Sequence, residues 1–260
     1  MTTFPKLIGM VHLQALPGSP LHRYSVAEIT RQAVSEAKML QEGGMEGILV
    51  ENMHDRPYQS GHAGPETVAA MTVACAAVRA ATGLPCGVQV LAAANREALA
   101  IALAAGLQFI RAEAFVFAHV ADEGLLQSCA AGLLRYRRAI GAESIRILTD
   151  IKKKHSSHAI TADITLEETA HAAEYFLSDG LIVTGLRTGH QPAPAEVSAV
   201  QQHTALPVFT GSGVTLENVA TFLQAGHGVI VGSSLKADGD WRNAVDPRRV
   251  REFVKAAALP

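Results

Sequence analysis

Short runs of β-branched and aliphatic residues recur along the chain near 6–12, 47–52, 86–91, 108–114, 145–151, 180–185, 207–211 and 228–232. Each is short enough for a strand and is followed by a longer stretch with helical spacing of its apolar positions, or by an Ala-rich one. VAEITRQAVSEAKMLQEGG (26–44), ETVAAMTVACAAVRAATG (66–83) and LEETAHAAEYFLSDG (166–180) are such stretches, each closed by glycine, and PRRVREFVKAAA (247–258) is the last. Strict alternation of strand and helix predicts a parallel sheet, and eight such units in 260 residues predict an α/β fold, a single (β/α)8 TIM barrel spanning 1–260. A doubly wound open sheet is the alternative. It places a phosphate turn after its first strand, whereas the candidate turns here follow the seventh and eighth, where barrels keep theirs.

Those two turns lie in PVFTGSGVTLENV (207–219) and GVIVGSSLK (228–236). In each, an apolar strand runs into a turn rich in glycine and serine, the composition needed for backbone N–H groups to converge on an anion. Gly211, Ser212, Gly213, Gly232, Ser233 and Ser234 are the expected phosphate ligands, with Gly185 beside them at the end of the sixth strand. Thr215, Glu217 and Asn218 suit a helix N-terminus that adds its dipole. Tight turning alone explains the glycines of either segment; the pair at the end of the chain points to a phosphate cup.

A barrel builds its site at the C-terminal ends of its strands, so polar residues that interrupt an apolar strand at its exit are the informative ones. His12 lies on the same alternation as Ile8 and Met10. Glu51 and Asn52 end the second strand, with Asp55 just beyond; Gln89 falls on the third; Arg111 and Glu113 share a face of the fourth and are expected to pair with each other. The fifth strand exits through LTDIKKKHSSH, where Asp150 and Lys152 share a face, Lys154 and His155 lie at or beyond the rim, and Lys153 reads as part of a solvated basic loop. Thr184 ends the sixth, and Thr188 and His190 follow in its loop. The expected roles are Glu51 and Asp150 as base and acid, Lys152 as electrophile or Schiff-base amine, and His12 as proton shuttle. Asn52, Asp55, Gln89, Arg111, Glu113 and Thr184 are expected to contact substrate. No cofactor is called for. A divalent metal held by His12, Glu51, Asp55 and Asp150 is the alternative, since barrel metal sites draw single ligands from separate strands; the remaining histidines are dispersed.

A net charge of −2 and a pI near 6.6 argue against a nucleic-acid surface. Cys75, Cys86 and Cys129 form neither a disulfide framework nor a Cys-x-x-Cys zinc motif. With no apolar run of membrane-spanning length and no secretory leader pattern, the expected setting is cytoplasmic. Barrels of this class often self-associate, so a homo-oligomer is an expectation from fold alone.

GMVHLQALPGSP (9–20), VENMHDRPY (50–58), LLRYRRAIGAE (133–143), TDIKKKHSSHAI (149–160), IVTGLRTG (182–189), GSGVTLENV and VGSSLKADGDWRNAVDPRRV (231–250) resemble the BtpA/SgcQ family over nearly the whole chain. The resemblance implies a (β/α)8 fold of the phosphate-binding kind and, in photosynthetic members, an association with photosystem I biogenesis. The commoner bacterial pattern has Arg-Val-Asn-Val on the fourth strand; this chain has Arg111-Ala112-Glu113-Ala114, a carboxylate in place of a neutral amide. The preferred functional reading is an enzyme that isomerises, epimerises or cleaves a phosphorylated small molecule, a sugar phosphate or nucleotide-like compound, by acid/base chemistry. A non-catalytic assembly factor and a metal-dependent hydrolase are the alternatives.

Overall fold

The computed structural model describes residues 4–185 and 190–258; Thr188 lies outside them. In chain order the strands are β1 (Leu7–His12), β2 (Gly47–Glu51), β3 (Cys86–Gln89), β4 (Phe109–Ala112), β5 (His119–Ala121), β6 (Gly124–Leu126), β7 (Arg146–Ile151), β8 (Ser156–Ser157), β9 (Gly180–Thr184), β10 (Val208–Gly211) and β11 (Gly228–Val231). Eight of them, all but β5, β6 and β8, are parallel and close into a barrel in sequence order, β11 pairing back onto β1. The helices are α1 (Val26–Glu42), α2 (Pro65–Thr82), α3 (Asn95–Ala105), α4 (Ala130–Ala139), α5 (Leu166–Tyr175), α6 (Pro194–Gln202), α7 (Val219–Ala225) and α8 (Pro247–Ala257). The TIM barrel expected from the strand–helix alternation is the fold observed.

Local chemistry sets the boundaries. Ser25 with Glu28 and Thr165 with Glu168 form capping boxes that start α1 and α5. Gly83 and Gly106 end α2 and α3 in the left-handed conformation. α5 stops at Tyr175 rather than running on to 180, because Leu177 takes a φ of 66°, a left-handed position that a non-glycine residue rarely adopts and that breaks the helical path.

Alternation along the strands separates two cores. Leu7, Val11, Ile48, Val50 and Val88 face outward and pack under the helices. Phe4, Ile8, Met10, Leu49, Phe109, Leu148, Ile182, Phe209 and Ile230 fill the barrel interior. At the N-terminal end the Phe4 ring meets Phe109 and Phe209 edge-on at 6.2 and 5.7 Å, and the Arg146 guanidinium lies 3.3 Å from its centroid. Gly87 makes room for this plug, since a Cβ there would stand 2.2 Å from the Phe109 ring.

The small antiparallel sheet β6-β5-β8 escaped the sequence reading. It joins a hairpin in the exit of β4, turned at Asp122 and Glu123, to the exit of β7, and so ties together two loops at the C-terminal end of the barrel. Among the described residues no helix is long and apolar enough to cross a membrane.

Candidate active site at the C-terminal mouth

A cavity of about 410 Å³ opens at the C-terminal ends of the strands. Met10 and Ile230 form its apolar floor; His12, Glu51, Arg111 and Lys154 line one side, and the turns after β10 and β11 line the other.

His12 and Glu51 end neighbouring strands in direct register, which brings Nε2 to 3.6 Å from Oε2. The other ring nitrogen, Nδ1, lies 3.3 Å from the Trp241 carbonyl. A carbonyl only accepts, so Nδ1 carries the proton of the neutral ring and Nε2 presents its lone pair to Glu51. Burial, reinforced by the nearby Lys236 charge, holds His12 well below the usual histidine range. Burial pushes the Glu51 carboxyl up, although Lys154 and Arg111 pull the other way. Both shifts favour the uncharged forms, so the two groups are close neighbours across the cavity edge at 3.6 Å rather than a charged pair. Trp241 roofs them, its ring tilted 49° against His54 at 5.0 Å with the Arg56 guanidinium 5.0 Å from its centroid. Sequence reasoning passed over this tryptophan because it belongs to an irregular segment after β11 rather than to a strand end.

The three lysines after β7 go to three places. Lys152, the expected electrophile, takes a φ of 48°; this breaks the strand alternation, and its ammonium is donated to the Ile164 carbonyl, away from the large cavity. Lys153, expected in solvent, is buried against Glu113 at 3.4 Å and Glu123 at 4.0 Å. Lys154, left out of the expected catalytic set, lines the cavity. Its backbone N–H is fixed by the Thr184 hydroxyl at 3.1 Å, which gives Thr184 a loop-positioning role in place of the expected substrate contact.

Asp150 also departs from its expected role as an acid. Its two oxygens accept from Nε and Nη2 of Arg111 at 3.0 and 2.8 Å, both groups buried, so it holds the guanidinium rather than facing the cavity as an acid. Arg111 therefore pairs with Asp150 and not with Glu113. Glu113 instead accepts from Gln89 Nε2 at 3.1 Å and the Ala93 N–H at 2.8 Å, beside Lys153. Gln89 and Glu113 thus serve a buried polar network outside the cavity. Asn52 Oδ1 accepts the Leu91 N–H at 2.8 Å and its amide donates to Asp55 at 3.0 Å, while Asp55 accepts the Leu16 N–H at 2.7 Å. These two side chains brace the loops after β1, β2 and β3 and are occupied by backbone. With Asp55 and Asp150 so engaged, the four residues nominated for a metal do not converge, and among the described residues no group of three His, Cys, Asp or Glu is placed to hold one.

Opposite the pair, Ser212, Gly213 and Val214 face Gly232, Ser233 and Ser234 across the cavity wall. The Ser234 hydroxyl donates to the Val214 carbonyl at 2.5 Å and so ties the two turns together. Asn218 shapes the first turn, accepting the Thr215 N–H at 2.7 Å and donating to the Gly213 carbonyl at 3.0 Å. The N–H groups of Gly213, Val214, Ser233 and Ser234 have no hydrogen-bond partner among the described residues. Arg249, at the start of α8, donates from Nε to the Ser234 carbonyl at 2.9 Å and also lines the cavity. α7 begins only at Val219, so turns and not a helix dipole make the cup.

The glycines have more specific tasks than open access. Gly211 leaves room for Ile182, 2.8 Å from where its Cβ would stand, and for Arg111 at 3.5 Å. A Cβ on Gly185 or Gly213 would fall 2.1 Å from the His190 carbonyl oxygen or 2.2 Å from the Gln191 nitrogen; both let the exposed segment at 190–191 close over the turns. At Gly232 the hypothetical Cβ would press on the His12 ring at 3.2 Å.

The model of the BtpA family matches residues 3–259. The chain belongs to the BtpA family. Photosystem I biogenesis protein BtpA of Synechocystis is 37% identical over 98% of this chain and 89% of its own length. An uncharacterized mitochondrial protein of Caenorhabditis elegans is 44% identical over 96% of this chain and 92% of its own. Among solved structures, thiamine phosphate pyrophosphorylase of Pyrococcus furiosus is similar with a TM-score of 0.61 at 14% identity, covering 97% of this chain and 95% of its own. Orotidine 5'-phosphate decarboxylase of Pyrococcus horikoshii gives 0.60 at 12%, covering 98% and 100%. At such identities the likeness shows that this BtpA family member shares their barrel fold.

Proposed function

We propose that the protein is an enzyme acting on a phosphorylated small molecule, with the phosphate seated between the turns after β10 and β11 and the reacting atoms held at His12 and Glu51. The observation that carries this reading is the shared cavity: four N–H groups without a partner among the described residues, with Arg249, on one wall, and the neighbouring His12 and Glu51 side chains on the other. Anchoring the phosphate lets remote binding energy orient the reacting carbons. The neutral His12 Nε2 is the base, the Glu51 carboxyl its proton partner, and Arg111, fixed by Asp150, an electrostatic stabiliser. Glu217 and Glu252 on the outer wall accept hydrogen bonds, which suits the hydroxyls of a sugar phosphate. Isomerase, epimerase and aldolase-like lyase are the reaction classes this set serves, and a cytoplasmic setting belongs to the same reading. The names of two fold neighbours, orotidine 5'-phosphate decarboxylase and thiamine phosphate pyrophosphorylase, carry phosphorylated compounds and support the reading by analogy.

The test is a thermal-shift screen against ribose 5-phosphate, glyceraldehyde 3-phosphate and AMP, each beside its unphosphorylated counterpart. Stabilisation restricted to the phosphorylated members is expected. A flat response across the panel rejects the reading in favour of a non-catalytic assembly role, the alternative suggested by the name of the Synechocystis relative.

A further inference from the structure

Lysine ammonium groups enclosed in protein ordinarily meet a carboxylate or a carbonyl, because an unpaired charge is costly away from water. In the cluster after β7 two ammonium groups meet such partners and the third, on the half-buried Lys154, faces the cavity. Lys152 is spent on the Ile164 carbonyl and Lys153 on Glu113 and Glu123. Elsewhere in the barrel Lys236 binds Glu36 at 2.7 Å. The Lys154 ammonium has no hydrogen-bond or ion-pair partner among the described residues, although it lines the same cavity as Glu51 and His12. Its backbone, by contrast, is held by Thr184. Asp150, the carboxylate on the same strand exit, is fully engaged by Arg111 and is not available to neutralise it.

We propose that Lys154 is an imine-forming catalytic residue, and that the substrate is therefore a phosphorylated aldehyde or ketone whose carbonyl carbon is carried to Lys154 when its phosphate enters the cup. This rests on the phosphate-binding reading above and narrows it to carbonyl compounds. Burial, helped by the Arg111 charge, holds Lys154 below the ordinary lysine range, which raises the fraction present as free amine. The amine lone pair attacks the carbonyl carbon and the C=O π pair moves to oxygen. The nitrogen gives up a proton, the carbinolamine oxygen takes protons through the Glu51–His12 pair, and the C–O bond breaks to release water. Overall, ammonium and carbonyl give iminium and one water with no net change in protons. The iminium then acidifies the adjacent carbon for His12 Nε2, which has its lone pair toward the cavity side that Glu51 occupies.

The experiment is borohydride trapping with glyceraldehyde 3-phosphate, dihydroxyacetone phosphate and ribose 5-phosphate, with glycerol 3-phosphate and unphosphorylated glyceraldehyde as controls. Reduction of an imine adds the mass of the probe less one oxygen. One such adduct per chain is expected for at least one phosphorylated carbonyl probe, mapped to Lys154, lost in Lys154→Met and Lys154→Arg, and kept in Lys152→Met. Melting temperatures of every variant and probe are read alongside. Phosphorylated probes that raise the melting temperature without forming an adduct, or that label Lys154→Met as fully as the natural chain, overturn the imine and leave the phosphate site standing. Neither stabilisation nor adduct overturns both.

Discussion

His12 is tethered on the side facing protein and open on the side facing Glu51, a division set by one carbonyl, that of Trp241. Replacing Glu51 by Gln keeps the size of the side chain and removes its acid. Turnover of a phosphorylated substrate is expected to fall about 10²–10⁴-fold while the thermal shift given by that ligand persists. Equal loss of both readouts would make Glu51 a binding or structural group instead. His54, under the same tryptophan, is lowered by burial from 6.5 to about 4. The unfolded chain therefore binds the extra proton first as pH falls, and stability due to His54 is lost between about pH 6.5 and 4. His12 and His119 shift the same way, Glu51 and Glu113 the opposite way, so the comparison is made by difference: melting temperature should drop more between pH 7 and 5 in the natural chain than in His54→Gln. At this scale His12, Glu51 and Arg111 were legible because each interrupts an apolar strand on its inward alternation. Lys154 was placed at the rim but given no role, since the left-handed turn at Lys152 resets the alternation and hides which of the three lysines faces the cavity.

Between elements, the Lys236–Glu36 pair joins the exit of β11 to α1 with side chains only 2% and 5% exposed. Glu36→Gln strands a buried ammonium and is expected to lower unfolding free energy by about 3–5 kcal/mol, measurable by urea denaturation; a change near zero would mean that water reaches the pair. Gly213 governs a different junction. Its φ of +68° and the Gln191 backbone 2.2 Å from a Cβ mean that Gly213→Ala must displace either the turn or the segment over it. Stabilisation by phosphorylated ligands should be lost even if the variant folds, and an unchanged thermal shift would place the anion elsewhere. The eight barrel strands were readable from their apolar runs, although each run overshoots the strand by one to three residues, most at β4, where 108–114 shrinks to Phe109–Ala112. The β5–β6 hairpin was missed because strands of three residues around Asp122 and Glu123 carry too short an alternation to distinguish from a loop.

Across the whole molecule, closure of eight strands was implied by the count of alternating units, and the end of the barrel at which the large cavity lies followed from strand polarity. What the chain did not disclose is which polar groups would face one another: Arg111 finds Asp150 across neighbouring strands, and Glu113 finds Lys153, pairings that depend on barrel register and loop paths rather than on local pattern. The aromatic stopper of Phe4, Phe109 and Phe209 under the Arg146 guanidinium fills the N-terminal end of the barrel interior, so that among the described residues the large cavity lies at the opposite end, where the strands exit. A small molecule bound there is expected to come and go on the side that Trp241 lines. If this cavity is the active site of a one-substrate reaction, the product should inhibit competitively with substrate in steady-state kinetics, and mixed inhibition would mean that product binds a second enzyme form or a second site.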